Sequence, residues 1–216
     1  MKYKNILFDL DGTLTDSKPG IVKSICKALQ YFGIDYSAIN LDLFIGPPLM
    51  NSLVDMGINH QKAEEIVKIY REYYGKEGIY ENSLYESISE MLACLKTNGH
   101  TLIIATAKSQ PYANIVLDNF NIAQYFTCIS ASDINRTFDT KQRIIEDALK
   151  VCDITNLNST VMIGDRKYDI TAAKAVGIAA IGVLFGYGDY DELNAAGADI
   201  IVENVQELFH LLRGEN

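Results

Sequence analysis

Behind the apolar run Asn5 to Phe8, the stretch Asp9-Leu10-Asp11-Gly12-Thr13-Leu14-Thr15-Asp16-Ser17 concentrates acids, hydroxyls and one glycine. In an extended strand, residues two apart share a side, so Asp9 and Asp11 are expected to project together at the strand's carboxyl end. Two carboxylates crowded beside Phe8 and Leu10 repel one another, and a buried unpaired charge is costly. A divalent cation would resolve that conflict. Gly12 permits the tight turn and close backbone approach an anion site needs, and Thr13 adds a hydroxyl. The plainer alternative is a strand that ends in a turn-forming Asp-Gly, with Asp16 and Ser17 capping the helix that follows.

A second apolar run, Thr160 to Gly164, ends in Asp165, and Asp169 follows four residues later. If a helix starts near Arg166, both acids lie on one side of its first turn and face the crevice that holds Asp9. Asp169 has the alternative of capping that helix. Thr106 and Ala107 finish another buried run with a hydroxyl, a small residue and a helix start, which suits a phosphoryl oxygen. Lys141 precedes a helical pattern and could neutralise such a group; a surface lysine is its alternative.

These residues need a scaffold, and the apolar patterning supplies one. Strands are expected over Asn5 to Leu10, Thr101 to Thr106, Phe126 to Ser130, Thr160 to Gly164, Ala179 to Phe185 and Asp199 to Val202. Helical periodicity over Leu84 to Thr97, Pro111 to Phe120, Lys141 to Val151, Ile170 to Val176, Asp191 to Ala196 and Val205 to Leu212 alternates with them. Strands apolar on both faces, separated by helices, imply an α/β fold with a doubly wound, Rossmann-like parallel sheet. The stretch 16–82 breaks the alternation with helical patterns alone, so it reads as a small α-helical cap inserted into a core of residues 1–15 and 83–216. Open α/β sheets bind ligands at the carboxyl ends of their strands, where such an insertion begins.

Composition narrows the partners. With 19 Lys plus Arg against 28 Asp plus Glu, the formal charge is -9, and no basic run suits nucleic acid or an anionic membrane. Cys26, Cys94, Cys128 and Cys152 stand singly, and His60, His100 and His210 are remote from them in sequence, so no zinc site is expected. Core thiols and surface imidazoles in a reducing, cytoplasmic compartment are the simplest reading. Neither a signal peptide nor a membrane span of about 20 apolar residues is apparent. Oligomeric state is not readable.

Taken together, the motifs resemble the haloacid dehalogenase superfamily of phosphotransferases. Its first motif is matched by DLDGTLTDS at 9–17, the second by Thr106, the third by Lys141 and the fourth by GDRKYD at 164–169. The stretches GDRKYDI and GVLFGYG are similar to the phosphoglycolate phosphatase-like branch, especially its 5′-nucleotidase-like members, and Phe44-Ile45-Gly46-Pro47-Pro48-Leu49 resembles that branch's cap loop. The resemblance implies hydrolysis of a small phosphate monoester. Asp9 would form an aspartyl-phosphate, and Asp11 would protonate the leaving oxygen and then activate water. Mg²⁺ would be held by the Asp9 carboxylate, the Asp11 carbonyl and Asp165, with Asp169 ordering its shell. Lys141, with Lys108 the alternative for the third-motif lysine, Thr106 and the Ala107 N–H would hold phosphoryl oxygens, and Gly46, Pro47 and Arg71 would select the substrate. A sugar-phosphate phosphomutase and a non-catalytic phospho-ligand-binding protein share the scaffold, and a response-regulator receiver gathers similar acids without a long cap.

Overall fold

The computed structural model describes residues 2–46, 49–133 and 140–214. Its first strand, β1 (Asn5–Phe8), is buried at every position, as a parallel strand covered on both faces must be. A short β2 (Thr15–Asp16) leads to three helices, α1 (Lys18–Tyr31), α2 (Leu49–Asp55) and α3 (His60–Lys76), and then to a short β3 (Ser83–Leu84). Helix and strand then alternate through α4 (Ile88–Thr97), β4 (Thr101–Ser109), α5 (Gln110–Asn119), β5 (Cys128–Ser132), α6 (Lys141–Val151) and β6 (Thr160–Gly164). The chain finishes with α7 (Lys167–Val176), β7 (Ala179–Val183), α8 (Tyr190–Ala195), β8 (Ile200–Val202) and α9 (Val205–Arg213).

Six strands form one parallel sheet in the order β5-β4-β1-β6-β7-β8. Its register sets Ile103, Leu7, Met162 and Ala180 side by side, and directly paired residues share a face. All four are buried in one cluster with Ile144, Ile145 and Ala148 of α6 and Ile170 and Ala173 of α7. A large aliphatic side chain in such a layer contributes about 1.5–3 kcal/mol by leaving water. The alternating residues Ile6, Phe8, Leu102, Ile104, Val161 and Ile163 are fully buried too, so both faces of the sheet are covered. This is the doubly wound α/β architecture expected of the sequence.

The strand order fixes where a ligand can sit. From β1 the chain proceeds to β4 on one side, whereas from β6 it proceeds to β7 on the other. The segments leaving β1 and β6 therefore diverge, and a crevice opens between the carboxyl ends of these neighbours. Asp9 and Asp165 are the residues that immediately follow those two strands.

The chain divides into two compact units, Met1–Asp16 with Leu84–Asn216, and Ser17–Ser83. The second is helical, with Ile25, Ala28 and Leu29 of α1 packed with Leu53 of α2, Ala63 and Ile66 of α3, and Phe44.

Several local expectations need correction. β1 stops at Phe8 rather than Leu10, because the chain wraps about the Leu10 carbonyl instead of continuing the ladder. β4 runs on to Ser109, with Ala107 and Lys108 inserted where its register against β5 shifts between Thr106 and Ser109, so Ala107 belongs to the strand and α5 opens at Gln110, one residue before the expected Pro111. Such an irregularity re-aims side chains at the edge of a site. Ser17 makes no side-chain cap on α1, and Asp16 instead accepts from the Tyr187 hydroxyl at 3.1 Å. His100 is buried, its Nδ1 2.8 Å from the Tyr3 carbonyl, rather than on the surface. The cysteines are half-buried rather than in the core.

Candidate active site

The loop after β1 is built on one carbonyl. Leu10 O accepts from the N–H groups of Leu14 and Thr15 at 2.9 and 3.0 Å, and Gly12 closes the turn with φ of 81° and an N–H donated to Thr15 O at 2.7 Å. A Cβ at Gly12 would stand 2.3 Å from Asp165 Oδ2, so the loop reaches that carboxylate only without a side chain there.

Asp9 and Asp11 leave this loop for different cations. Asp9 Oδ1 accepts from Leu10 N–H at 2.8 Å and pairs with Lys141 Nζ at 2.9 Å. Both oxygens of Asp11 accept from Lys108 Nζ, at 3.0 and 2.8 Å. The expected projection of both acids from one strand is replaced by two lysine partnerships, because the strand ends before either residue.

Across the crevice, Asp165 is fully buried and its Oδ2 accepts from Tyr187 N–H at 2.8 Å. The Thr13 hydroxyl donates to Oδ1 over a longer 3.4 Å. Asp169, in the first turn of α7, serves both alternatives the sequence left open. Its Oδ2 accepts from Arg166 N–H at 3.2 Å, a capping contact, while Oδ1 pairs with Lys141 Nζ at 2.8 Å.

Lys141 is no surface residue. It opens α6, whose start is fixed by Thr140 Oγ1 accepting from Arg143 N–H at 3.3 Å, and its side chain is only 7% exposed. Besides the two carboxylates, its ammonium donates to the Ala105 carbonyl at 2.9 Å, which ties it to the end of β4. Next to that carbonyl, Thr106 is buried and its hydroxyl accepts from Lys108 N–H at 3.2 Å, while Ala107 is exposed. Asp9, Asp11, Thr106, Lys141, Asp165 and Asp169 are thus linked through one set of strand ends. Gly46 and Arg71 belong to the helical unit and are exposed; Pro47 lies outside the described residues.

Comparison with known proteins gives this arrangement its lineage. Residues 6–183 match the haloacid dehalogenase-like hydrolase family. The chain belongs to that family. A 5′-nucleotidase of Pseudomonas aeruginosa is 39% identical over 197 residues, spanning 90% of this chain and 89% of the relative. A protein named tyrosine-protein kinase PtkA, from Mycobacterium tuberculosis, is 36% identical over 198 residues, 91% of this chain and 67% of its own. Among solved structures, a Clostridium difficile protein assigned as a phosphatase is 43% identical, with a TM-score of 0.90 and coverage of 98% and 99%. This haloacid dehalogenase-like hydrolase is an enzyme of the phosphatase kind.

The hydrolase concentrates negative charge where its strands end. Asp9, Asp165 and Asp169 each offer an oxygen, and the three oxygens lie within 4.8 Å of one another. Three carboxylates, two of them paired with the Lys141 ammonium, leave two formal negative charges, which matches one divalent cation. Hard oxygen donors of this kind suit Mg²⁺, so the residues present fit the metal that the family's motifs imply. The crowding of these carboxylates shows in their acidities. Burial, then Asp169 and Asp9, push the Asp165 carboxyl well above the usual range, against the Tyr187 N–H and Arg166. Burial pushes Asp169 up to about 6, with Lys141 opposing and Asp9 adding to it. Burial lowers the Lys141 pKa, but Asp169 and Asp9 outweigh it and hold the ammonium above the ordinary lysine range.

A pH dependence follows. Asp169 keeps its proton in the folded, metal-free hydrolase at pH values where the unfolded chain has lost it, so its contribution to stability is complete below the ordinary carboxylate pKa of about 4 and is lost as pH rises through about 6. A divalent cation must displace that proton. The rise in melting temperature on adding Mg²⁺ is therefore expected to be larger at about pH 7.5 than at about pH 5. Equal rises at both values, measured by thermal unfolding, would show that the cation does not meet this carboxylate.

Two features escaped the sequence. Lys108 reaches Asp11 only because the β4 irregularity redirects it. Tyr187 N–H reaches Asp165 from a glycine-rich loop whose signal was present in GVLFGYG: a Cβ at Gly186 would fall 2.2 Å from Gly12 O and 2.4 Å from Asp165 Cβ.

Proposed function

We propose that the protein is a Mg²⁺-dependent phosphomonoester hydrolase that acts on a small phosphorylated metabolite, of the nucleoside 5′-monophosphate or phosphoglycolate type, through an aspartyl-phosphate. The observation that carries this reading is the Lys141 ammonium joining Asp9 to Asp169, within metal-ligating reach of Asp165, at the crevice between β1 and β6. Asp9 is the nucleophile, a carboxylate oriented by Leu10 N–H and Lys141 on a single oxygen. As its oxygen bonds to phosphorus, the ester bond to the leaving oxygen breaks and Asp11 supplies that oxygen with a proton. Asp11 then takes a proton from water, which attacks the aspartyl-phosphate and releases inorganic phosphate and the Asp9 carboxylate. Thr106 Oγ1, the Ala107 N–H and Lys141 hold the equatorial phosphoryl oxygens, so catalysis is largely positioning and electrostatics. Asp9, Asp165 and the Asp11 carbonyl would hold Mg²⁺, with Asp169 ordering its shell, and the cation would offset the repulsion between carboxylate and phosphoryl group.

The Lys108 ion pair shapes the proton step. Its ammonium donates to both oxygens of Asp11, so Asp11 can reach the leaving oxygen as an acid only once that contact is loosened. The helical unit, with Gly46, Pro47 and Arg71, is the part of the chain to which we assign substrate selection. The nucleotidase relative favours a nucleoside monophosphate, and the motif resemblance keeps phosphoglycolate beside it. The relative named as a tyrosine kinase favours a second reading in which the phosphoryl group passes to an acceptor hydroxyl instead of water.

The test is a phosphate-release panel of nucleoside monophosphates, phosphoglycolate, sugar phosphates, phosphotyrosine and p-nitrophenyl phosphate, with Mg²⁺ and with chelator. Release from none of them, or release undiminished by chelator, overturns the proposal; transfer to an added hydroxyl acceptor without release supports the second reading. In the same panel Asp11→Asn is expected to slow hydrolysis of the alkyl esters by about 10²–10⁴-fold and of p-nitrophenyl phosphate far less, since nitrophenolate leaves without a proton. Losses of equal size on both kinds of ester would assign Asp11 a structural role.

A further inference from the structure

On the same side of the sheet as the α6–α7 layer, two cysteines distant in sequence meet. Cys128 opens β5, the edge strand, and Cys152 follows the last residue of α6. Their sulfur atoms are 2.6 Å apart, and both side chains pack half-buried against the apolar cluster beneath α6. Regular structure fixes both positions. Cys152 N–H donates to Ala148 O at 3.1 Å and Ile154 N–H to Leu149 O at 2.9 Å, which closes the helix, while Ser130 Oγ donates to Ile144 O at 2.8 Å and ties β5 to α6.

We propose that Cys128 and Cys152 are a modification site that forms a reversible intrachain disulfide, with a small-molecule disulfide such as oxidised glutathione as oxidant. The two thiols need none of the carboxylate machinery. Burial, and then the neighbouring Cys152, push the Cys128 thiol up to about 12, so Cys128 remains protonated at neutral pH and reacts second. The Cys152 thiolate attacks one glutathione sulfur, and the first glutathione thiolate leaves. Cys128 loses its proton as it attacks the Cys152 sulfur, the remaining bond to glutathione breaks, and the second glutathione departs. Two cysteine thiols are oxidised and one glutathione disulfide is reduced to two thiols.

The cross-link would close residues 128–152, a segment that carries Lys141 at the start of α6. Because the sulfurs already touch, closure leaves the sheet and helix in place, and phosphate release is expected to stay within about twofold. The unfolded chain loses freedom instead, so the melting temperature should rise by about 5–10 °C.

The experiment treats the full chain with oxidised glutathione, counts thiols and maps peptides by mass spectrometry without reduction. The expected result is a fall from four thiols to two, a Cys128–Cys152 cross-linked peptide, and recovery of four thiols with dithiothreitol. Cys128→Ser should retain one glutathione on Cys152, whereas Cys152→Ser should keep its three thiols. Persistence of four thiols, cross-links through Cys26 or Cys94, cross-links between chains, or an unchanged melting temperature after oxidation would overturn the proposal. The thiol count and peptide map on the unaltered protein decide it even where a variant folds poorly.

Discussion

Asp9→Asn is expected to lower turnover by about 10⁴-fold or more while the protein stays folded. The asparagine keeps an oxygen where Asp9 Oδ1 accepts from Leu10 N–H and Lys141 Nζ, so the loop after β1 retains its shape. What disappears is the charged nucleophile, for which an amide is no substitute. The Lys141 ammonium keeps Asp169 as a partner at 2.8 Å, so the substitution does not strand a buried cation. The melting temperature should accordingly move by no more than a few degrees. Steady-state phosphate release together with thermal unfolding checks both halves. Near-normal release from a folded variant would remove Asp9 from the chemistry.

Replacing Mg²⁺ by Ca²⁺ is expected to abolish phosphate release, with Ca²⁺ competing against Mg²⁺ and not against substrate. Asp9 has two duties in the proposed mechanism, since one oxygen must meet the metal while another attacks phosphorus. Mg²⁺ demands a compact octahedral shell and favours single-oxygen carboxylate contacts. Ca²⁺ is larger, takes a looser and more crowded shell, and accepts carboxylates through both oxygens as well as one. The clustering of Asp9, Asp165 and Asp169 gives it the donors to do so. Rates across a grid of both ions at constant ionic strength read the competition, and full activity with Ca²⁺ as the sole divalent ion would refute the double duty of Asp9.

Much of the framework was legible because it depends on local pattern. Six apolar runs, each too short for a helix, became the six strands of the sheet, and the helix over Lys141–Val151 has the bounds its periodicity suggested. Asp165 stood out because a charge at the end of a buried run is costly unless something uses it. The ends of elements were less legible. β1 stops early because the backbone donors of Gly12, Thr13, Leu14 and Thr15 find partners within the loop, and β4 continues because its shifted register against β5 accommodates two further residues. Hydropathy carries no record of either competition.

For Lys141 and Lys108 the sequence offered two lysines for one role, and only the fold separates them. Helix α6 packs on β4, so the first residue of that helix meets the Ala105 carbonyl and, one strand over, Asp9. Lys108 lies within the β4 irregularity and reaches Asp11 instead. The same holds for Cys128 and Cys152, which lie apart in the chain and meet because α6 runs back over β5. The amino-acid sequence alone determined the α/β class, the acids at the strand ends and the family they resemble, since periodicity and a motif of adjacent residues are properties of short segments. Tertiary structure decided which cation faces which carboxylate, because that depends on strand order and register, and so on contacts between residues far apart in the chain, such as Lys141 with Asp9 and Lys108 with Asp11.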